Sequence, residues 1–486
     1  MQKGEIIEVE IISLNSEGDG IGKLQDGYVI FVKNTLPGDK IRTKIQKKKR
    51  NYLIGSVIDI IEPSKSRIKP TCKHFGICGG CKFQNLNYES QLKFKSQIVL
   101  DSFTKIGNFS NLNVNNILGS DNIYHYRNKM EFTFSDDVWI EENKISNLAT
   151  INEELTSISD NNEKRKKMFG LGLHIPNFHS KIVDVKECYL QSEISYKIVN
   201  FVREFFKKRN KSIYTIKTHT GYLRFLIIRQ SFNTKDIMVN LITNEYEKEL
   251  INEFKDELLE NFTDITTVVN SISTKKAQVA LGEYAETIWG NGHIIEILNN
   301  GIRNLKFRIS PNSFFQTNTK QCEKLFKEGL NLLDINQNDS VLDLYCGAGA
   351  ISIFISEYVK KVFGVELLED AIKDAKTNAK LNNINNIDFI QSDIKDFLKS
   401  NENLEQNFNI VILDPPRSGL HPDICKILSE TNFEKILYIS CNPSTQARDV
   451  KIICSKGKYK ILKLQPVDMF PNTIHVENIC LLSSLN

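Results

Sequence analysis

The sequence lacks apolar runs of membrane-spanning length, internal repeats and long low-complexity tracts. A bilayer span needs roughly 20 consecutive apolar residues, and the opening MQKGEIIEVE carries charges where a secretory signal needs its apolar centre. These absences argue against membrane and secreted classes. We expect a cytoplasmic chain with no membrane partner and, by default, a monomer.

The net charge is also small, at +4 over 486 residues, but it is unevenly distributed. Residues 1–70 hold 13 Lys or Arg against 9 Asp or Glu, which accounts for the whole excess. The run KIRTKIQKKKR at 40–50 has seven basic residues and no acidic one. Such a run is either an ordinary solvated face or a phosphate-binding surface, since clustered Lys and Arg mark nucleic-acid modules.

The hydrophobic and charged fractions, 41% and 25%, are those of globular proteins, and the length predicts several domains. Residues 1–62 contain short β-like segments between turn signals, which predicts a small OB-like β-barrel of a kind that commonly binds oligonucleotides. Residues 63–310 predict a strand-rich, mixed α/β domain with a polar insertion at 141–167. Residues 311–486 alternate helical and strand patterns, which predicts a doubly wound α/β domain around a parallel sheet.

Cysteine is well represented, with ten residues. Because disulfides are rare in the cytoplasm, some of these residues are expected to bind metal or act in catalysis. Cys72, Cys78 and Cys81 lie close together in TCKHFGICGGCKFQ, and Cys188 in VDVKECYLQ offers a fourth thiolate. Four thiolates suit either zinc or an iron–sulfur cluster, and the spacing does not separate the two.

The segment DSVLDLYCGAGAISIF at 339–354 predicts a strand, a glycine-rich turn and a helix. Gly347 and Gly349 let the backbone approach a ligand, and Glu366 ends the next predicted strand, where a carboxylate can accept both ribose hydroxyls. Asp343 and Ser352 depart from the dinucleotide fingerprint, which argues against an NAD-type site. An NAD-type site remains the alternative. The arrangement resembles motif I of class I S-adenosylmethionine methyltransferases.

Asp393 and Asp414 follow two further predicted strands. Asp393 is placed to reach an adenine amine, and Pro415 and Pro416 stiffen the loop after Asp414. Methyltransferases of exocyclic amines also combine an acidic or amide residue with two prolines at this place. Methyl transfer to an amine is therefore a competing hypothesis.

Cys441 follows the apolar run 436–439 and precedes a turn signal, which places it at the ligand-binding edge of the predicted sheet. A lone cysteine most often packs as a small hydrophobe. Methylation at C5 of a pyrimidine, however, requires a nucleophile, because a thiolate added to C6 makes C5 carbanion-like, and a base must then remove the C5 proton.

The base candidate is Glu477, at the head of an apolar terminal strand in DMFPNTIHVENICLL, where a carboxylate is costly unless it is paired or functional. The nearby His475 is expected to be a structural hydrogen-bonding residue. Arg417 and Arg448 are candidates to favour ionisation of the thiol, with capping of local structure as the alternative for Arg448.

The segments SCNPSTQARD, LDPPRSG, DMFPNTIHVEN, ISPNSFFQTN and DLYCGAG together resemble the RNA uracil-5-methyltransferase family. With the four cysteines and a TRAM-like N-terminal segment, the resemblance is to the type that acts on 23S ribosomal RNA. It implies a Rossmann-like methyltransferase domain with Cys441 as nucleophile and Glu477 as proton acceptor. The implied S-adenosyl-L-methionine contacts are Gln316, Tyr345, Glu366, Asp393 and Asp414. The implied ligands of a structural 4Fe–4S cluster, in preference to zinc, are Cys72, Cys78, Cys81 and Cys188.

The substrate side follows from the implied chemistry. A stacked uridine hides C6, so the target must be flipped out or lie in a loop. Phe314 and Phe315 are candidates to fill the vacated stack, with core packing as the alternative, and Arg127 is expected to face the substrate. Ala350 stands where some relatives have an asparagine that touches the cofactor. A transfer RNA target and a non-catalytic RNA-binding ribosome-assembly factor are the competing functions.

The remaining cysteines are expected to pack as small hydrophobic residues: Cys322, Cys346, Cys425, Cys454 and Cys480.

Overall fold

The computed structural model describes residues 2–24, 27–139, 168–176, 178, 180–400 and 404–485. The predicted insertion at 141–167 lies outside these residues. Among the residues that the structure describes, no helix combines the length and apolarity needed to cross a bilayer.

The chain forms two compact units. The first comprises Met1–Phe94, Thr133–Cys188 and Asn472–Ile474. The second comprises Lys95–Phe132, Tyr189–Pro471 and His475–Asn486. The predicted division into three domains at 62 and 310 stays a prediction.

The N-terminal strands of the first unit are β1 Ile6–Leu14, β2 Gly20–Lys23, β3 Val29–Val32, β4 Lys40–Lys48 and β5 Tyr52–Glu62. They close into a barrel in the order β1-β2-β3-β5-β4, which confirms the predicted fold of this segment. Part of the basic run is neutralised on the barrel wall, because Lys40 pairs with Glu62 at 2.9 Å and Arg42 pairs with Asp59. Residues 47–50 at the end of the run are exposed.

The rest of the first unit contains the cysteine-rich loop, the beginning of α1 (Tyr88–Asp101), and the end of β6 (Lys129–Ser135). Residues 133–135 of β6 pair antiparallel with β7 (Gly170–His174), which pairs with β8 (Ile182–Asp184).

The second unit begins with a mixed sheet in the order β12-β11-β10-β9-β6. Its further strands are β9 Leu223–Gln230, β10 Ile237–Thr243, β11 Thr267–Ile272 and β12 Tyr284–Trp289. β9 and β10 pair antiparallel. A separate hairpin follows, formed by β13 Ile294–Asn299 and β14 Asn304–Ile309.

A seven-stranded sheet forms the C-terminal part of the second unit. Its strands are β15 Ser340–Leu344, β16 Lys361–Glu366, β17 Ile387–Gln391, β18 Ile410–Leu413, β19 Lys435–Ser440, β20 Tyr459–Val467 and β21 Glu477–Ser484. The order is β17-β16-β15-β18-β19-β21-β20, and the first five are parallel. The prediction of a parallel sheet is wrong for β20 and β21, which pair antiparallel. A short connection joins them, whereas a parallel pair needs a long crossover.

Helices cover both faces of this sheet. The further helices of the second unit are α2 Glu193–Lys208, α3 Lys248–Asn261, α4 Thr319–Leu333, α5 Ala350–Ile355, α6 Glu369–Leu381, α7 Ile394–Ser400, α8 Pro422–Glu430 and α9 Pro443–Ile453. Short helical turns are Ser102–Ile106, Ser356–Tyr358, Leu404–Gln406 and Cys454–Lys456. Successive residues of β18 alternate between two apolar clusters, Ile410 and Ile412 in one and Val411 and Leu413 in the other. The strand is therefore buried on both faces, as expected of a central parallel strand.

Candidate active site at the carboxyl edge of the sheet

Five of the predicted site residues lie where parallel strands end. Tyr345, Asp414 and Cys441 directly follow β15, β18 and β19, Glu366 ends β16, and Asp393 lies two residues beyond β17. Because the carboxyl ends of parallel strands meet at one edge of a sheet, this arrangement gathers the five residues along the edge where open α/β sheets bind ligands.

The glycine-rich turn after β15 has the open geometry that a ligand requires. Tyr345, Gly347 and Gly349 have φ values of 68°, 54° and 80°, a left-handed conformation that glycine adopts without strain. A Cβ atom added at Gly347 would meet no atom within 4 Å. The Gly347 N–H donates to Oε2 of Glu366 at 3.2 Å, and the Leu368 N–H donates to Oε1 at 3.0 Å. These bonds fix the carboxylate of Glu366 beside open space.

Asp343 and Ser352, the two departures from the dinucleotide fingerprint, form a pair. The Ser352 hydroxyl donates to Oδ2 of Asp343, while Oδ1 is buried without a hydrogen-bond partner. Burial raises the pKa of Asp343 to about 7, and the Ser352 hydrogen bond opposes this rise. The serine thus accounts for the buried carboxyl beneath the glycine turn.

Cys441 and Glu477 are brought together by strand register. Ser440 of β19 lies opposite Asn478 of β21 in an antiparallel pair. Cys441, directly after β19, therefore lies opposite Glu477, the first residue of β21. Burial raises the pKa of the Cys441 thiol to about 12, and the negative charges of Glu477 and Asp414 add to this rise. A thiol with this pKa is protonated at neutral pH.

Two buried carboxyls accompany the thiol. Burial raises the pKa of Glu477 to about 8, with a further contribution from Asp414, and burial raises the pKa of Asp414 itself to about 7. Glu477 is only 5% exposed. A carboxyl with such a pKa can exchange a proton near neutral pH, which is the property required of a general acid or base.

Arg417 and Arg448 differ in the way they meet this site. Arg417 lowers the pKa of Cys441, opposing the larger effect of burial. Its carbonyl accepts from Asn442 Nδ2 at 3.2 Å and from Thr445 Oγ1 at 3.3 Å, which ties its loop to the turn after Cys441. Arg448 instead pairs with Asp449 and donates to the Ser418 carbonyl at 3.0 Å. Arg448 therefore has the capping role.

His475 remains neutral at physiological pH. Burial lowers its pKa to about 4, and the positive charges of Arg417, Lys95 and Arg127 lower it further.

Phe314 and Phe315 differ in their exposure to solvent. Phe315 is 4% exposed and packs against Phe307, with ring centroids 5.5 Å apart, whereas Phe314 is 72% exposed. Only Phe314 is available to a substrate.

Gln446 is a residue that sequence reasoning missed. It is fully buried, and its Nε2 donates to the carbonyls of Tyr438 at 2.7 Å and Asn478 at 3.0 Å. Its Oε1 accepts from Asn478 Nδ2 at 2.8 Å. The side chain therefore joins β19 and β21, the two strands that present Cys441 and Glu477. The only signal in the sequence is a polar residue early in a helix, which is too common to be informative.

The four predicted cluster ligands share one region of the first unit. Cys188 raises the pKa of Cys72, Cys78 and Cys81, although burial is the larger cause at each. The Gly80 N–H donates to Sγ of Cys78 at 3.3 Å, and Gln84 Nε2 donates to Sγ of Cys81 at 3.2 Å. The donor set suits a thiolate-bound metal, but within the described part of the chain no three His, Cys, Asp or Glu side chains have the arrangement of a metal site.

The other cysteines pack as predicted. Cys322, Cys346, Cys425 and Cys480 are buried, and Cys454 is half-buried.

The sheet order, the glycine turn and the carboxylate ending the adjacent strand define an S-adenosylmethionine-dependent methyltransferase. Residues 223–485 match the family profile described as tRNA (Uracil-5-)-methyltransferase, and residues 1–58 match the TRAM domain. The chain belongs to the tRNA (uracil-5-)-methyltransferase family.

Two relatives and one solved structure align with this chain over nearly its whole length. A protein of Chlorobaculum tepidum, named an uncharacterized RNA methyltransferase, is 38% identical over 98% of this chain and 96% of its own. One of the same name in Bacteroides thetaiotaomicron is 36% identical over 96% and 99%. The crystal structure of Pyrococcus abyssi tRNA (uracil-54, C5)-methyltransferase with S-adenosyl-L-homocysteine is similar with a TM-score of 0.72, 28% identity, and coverage of 98% of this chain and 100% of that one.

Proposed function

We propose that this protein transfers a methyl group from S-adenosyl-L-methionine to C5 of a uridine in RNA through a covalent bond between Cys441 and C6. The observation that carries this proposal is the cross-strand placement of Cys441 beside Glu477, at the sheet edge that also holds the glycine turn. An amine methyltransferase needs neither residue.

The residues proposed to hold the cofactor are Gln316, Tyr345, Glu366, Asp393 and Asp414. The space above Gly347 and the fixed carboxylate of Glu366 support this assignment, because a ribose needs both. When bound, S-adenosyl-L-methionine supplies an electrophilic methyl group.

In the proposed reaction the Cys441 thiol first releases its proton to solvent. The thiolate then adds to C6 of the uracil, and the displaced electron pair moves through C5 to the C4 carbonyl as an enolate. The pair then returns through C5 to form the new bond to the methyl carbon, while the methyl–sulfur bond of the donor breaks and its electron pair stays on the donor sulfur, which leaves as a neutral thioether. The Glu477 carboxylate accepts the proton from C5, and the electrons of that bond re-form the C5–C6 double bond as the thiolate leaves. Arg417 favours the anionic form of the sulfur at the first and last steps.

Cys441→Ala is expected to abolish methylation, because no other group in the proposal can add to C6. Glu477→Gln is expected to form the adduct and then retain methylated RNA, because the amide cannot take the C5 proton. The adduct is detected on a denaturing gel as a protein band that is shifted by the attached RNA and carries the labelled methyl group. The control is Cys454→Ala, which removes another half-buried thiol. Near-normal turnover in Cys441→Ala would refute the nucleophile assignment.

The proposed substrate is 23S ribosomal RNA. The resemblance of the whole motif set supports this choice, and the exposed basic residues 47–50 on the barrel suit an RNA backbone. In this proposal residues 1–62 bind RNA, 63–310 form the central domain and 311–486 carry out the reaction. A transfer RNA uridine is the second candidate, favoured by the tRNA enzyme of P. abyssi. Mapping 5-methyluridine in both RNAs from cells lacking the gene distinguishes them.

We also propose that Cys72, Cys78, Cys81 and Cys188 hold a structural 4Fe–4S cluster. The four interacting thiols and the two N–H groups donating to sulfur support it, since such hydrogen bonds accompany thiolate-bound clusters. Protein purified without oxygen is expected to absorb near roughly 400 nm and contain iron and sulfide. Cys81→Ser should lose both, and stoichiometric zinc in colourless protein would contradict the cluster.

A further inference from the structure

The connection between β20 and β21 contains a backbone segment held by an unusual set of side chains. The carbonyls of four consecutive residues, 468–471, each accept a hydrogen bond from a different side chain. The donors are Gln321 at 2.9 Å, Asn318 at 3.0 Å, Lys95 at 3.0 Å and Tyr126 at 2.9 Å. All four donors are buried. We refer to residues 468–471 as the clamped segment.

An ion pair adds to this restraint. Lys95 Nζ lies 2.6 Å from Oδ1 of Asp468, both side chains are inaccessible to solvent, and Oδ1 also accepts from the Phe470 N–H at 3.2 Å. Loop carbonyls commonly bond to water or to other backbone groups. Four buried donors from three separate parts of the chain therefore indicate that the conformation of this segment is specified closely.

Phe470 is the one residue of the clamped segment that is not fully buried. The guanidinium carbon of Arg127 lies 6.0 Å from the centre of its ring, and the ring of His475 meets it edge-on at 6.2 Å. The clamped segment thus presents an aromatic ring to an arginine.

The backbone of Arg127 is held on both sides. Tyr126 donates to the Pro471 carbonyl of the clamped segment, and Asn128 Nδ2 donates to the Gln316 carbonyl at 2.9 Å. The Nε of Arg127 donates to the Lys129 carbonyl at 3.3 Å. Among the described residues, no hydrogen-bond or ion-pair partner occupies either terminal nitrogen of Arg127. A half-buried cation with two unused donor groups suits an acceptor oxygen of a ligand.

We infer that Phe470 is a positioning residue whose ring holds the Arg127 guanidinium toward an acceptor oxygen of the substrate RNA. This inference rests on the proposed function for the identity of the ligand. The ring supplies a cation–π contact that keeps the guanidinium in one orientation before RNA arrives. The clamped segment keeps the ring itself in place.

The test is a double-mutant cycle on RNA affinity in the full-length protein, with unmodified 23S ribosomal and transfer RNA transcripts as probes. Phe470→Leu is expected to weaken binding by roughly 2- to 30-fold, the range of a cation–π contact. In an Arg127→Met background the same change should have almost no further effect, because the ring acts through the arginine. Phe470→Tyr, which keeps the ring, should retain wild-type affinity.

The control is Phe201→Leu, since Phe201 is half-buried on α2 against the rings of Phe205 and Phe262. It is expected to lower the melting temperature without changing RNA affinity. Equal losses from Phe470→Leu in both backgrounds, or no loss in either, would overturn the inference.

Two further measurements separate the sources of failure. The first is the slope of the logarithm of RNA affinity against the logarithm of salt concentration. If this slope becomes shallower by about one in Arg127→Met, the acceptor is a phosphate, whereas an unchanged slope assigns it to a base oxygen. Methyl incorporation is measured in parallel. Absence of incorporation in the wild type, with a non-additive binding cycle, would reject the proposed reaction while supporting the role of Phe470.

Discussion

At the scale of single residues, the environment of Cys441 keeps its thiol in the unreactive, protonated form. The Cys441 thiol has a pKa of about 12, raised first by burial and then by Glu477 and Asp414. Because oxidation and nucleophilic attack both need the thiolate, this environment protects the sulfur in the free protein. The charge of Arg417 opposes the rise in the pKa of Cys441 and therefore favours the thiolate.

Glu477 leads to a prediction about pH. Its pKa of about 8 lies above its ordinary value of 4.5 because the carboxyl is buried. Acting as the base, it must be ionised, so the rate at which the adduct releases methylated RNA is expected to rise as pH increases through about 8. Adduct decay followed between pH 6 and 9 measures this rate, and a rate that falls across that range would contradict the assignment.

The same shift affects stability with a definite sign. Above pH 4.5 the unfolded chain loses the Glu477 proton while the folded chain keeps it, so stability decreases as pH rises from about 4.5 through about 8. Glu477→Gln should therefore gain stability relative to the wild type as pH rises. Urea unfolding at pH 5 and pH 9 checks this, and an advantage that shrinks toward pH 9 would contradict the burial argument.

At the scale of elements, the connection between β20 and β21 depends on a charge carried by α1. Lys95→Met is expected to destabilise the fold by about 3–5 kcal/mol, because it removes the cation that lies opposite the buried carboxylate of Asp468. Lys95→Met combined with Asp468→Asn should recover much of this loss, since a neutral pair has no such charge. Urea denaturation measures both.

The matched control lies two residues earlier on the same helix. Lys93 forms an exposed pair with Glu89 at 2.7 Å, and Lys93→Met is expected to leave the free energy of unfolding nearly unchanged. A loss in Lys93→Met as large as that in Lys95→Met would show that removal of positive charge from α1, and not the buried pair, is responsible.

At the scale of the whole molecule, most element types were predictable, whereas the direction of the last two strands was not. Alternating and β-branched segments predicted four of the five barrel strands and six strands of the seven-stranded sheet; β2 falls in a segment interpreted as a turn, and β20 was not predicted. The reversal of β20 and β21 was missed, because periodicity reveals that a segment is a strand but carries no information about its direction. That reversal is what brings Glu477 back to the carboxyl edge beside Cys441.

The sequence by itself determined the kinds of element, the residues at the strand ends and the motifs that identify the family. These features depend on neighbouring residues, whose propensities and turn chemistry act locally. Only the tertiary structure decided that Phe314 is exposed while Phe315 is buried, that Gln446 joins the two strands of the site, and that Lys95 and Tyr126 hold the segment bearing Phe470. Each of these depends on register and burial, which arise when residues far apart in the chain pack together.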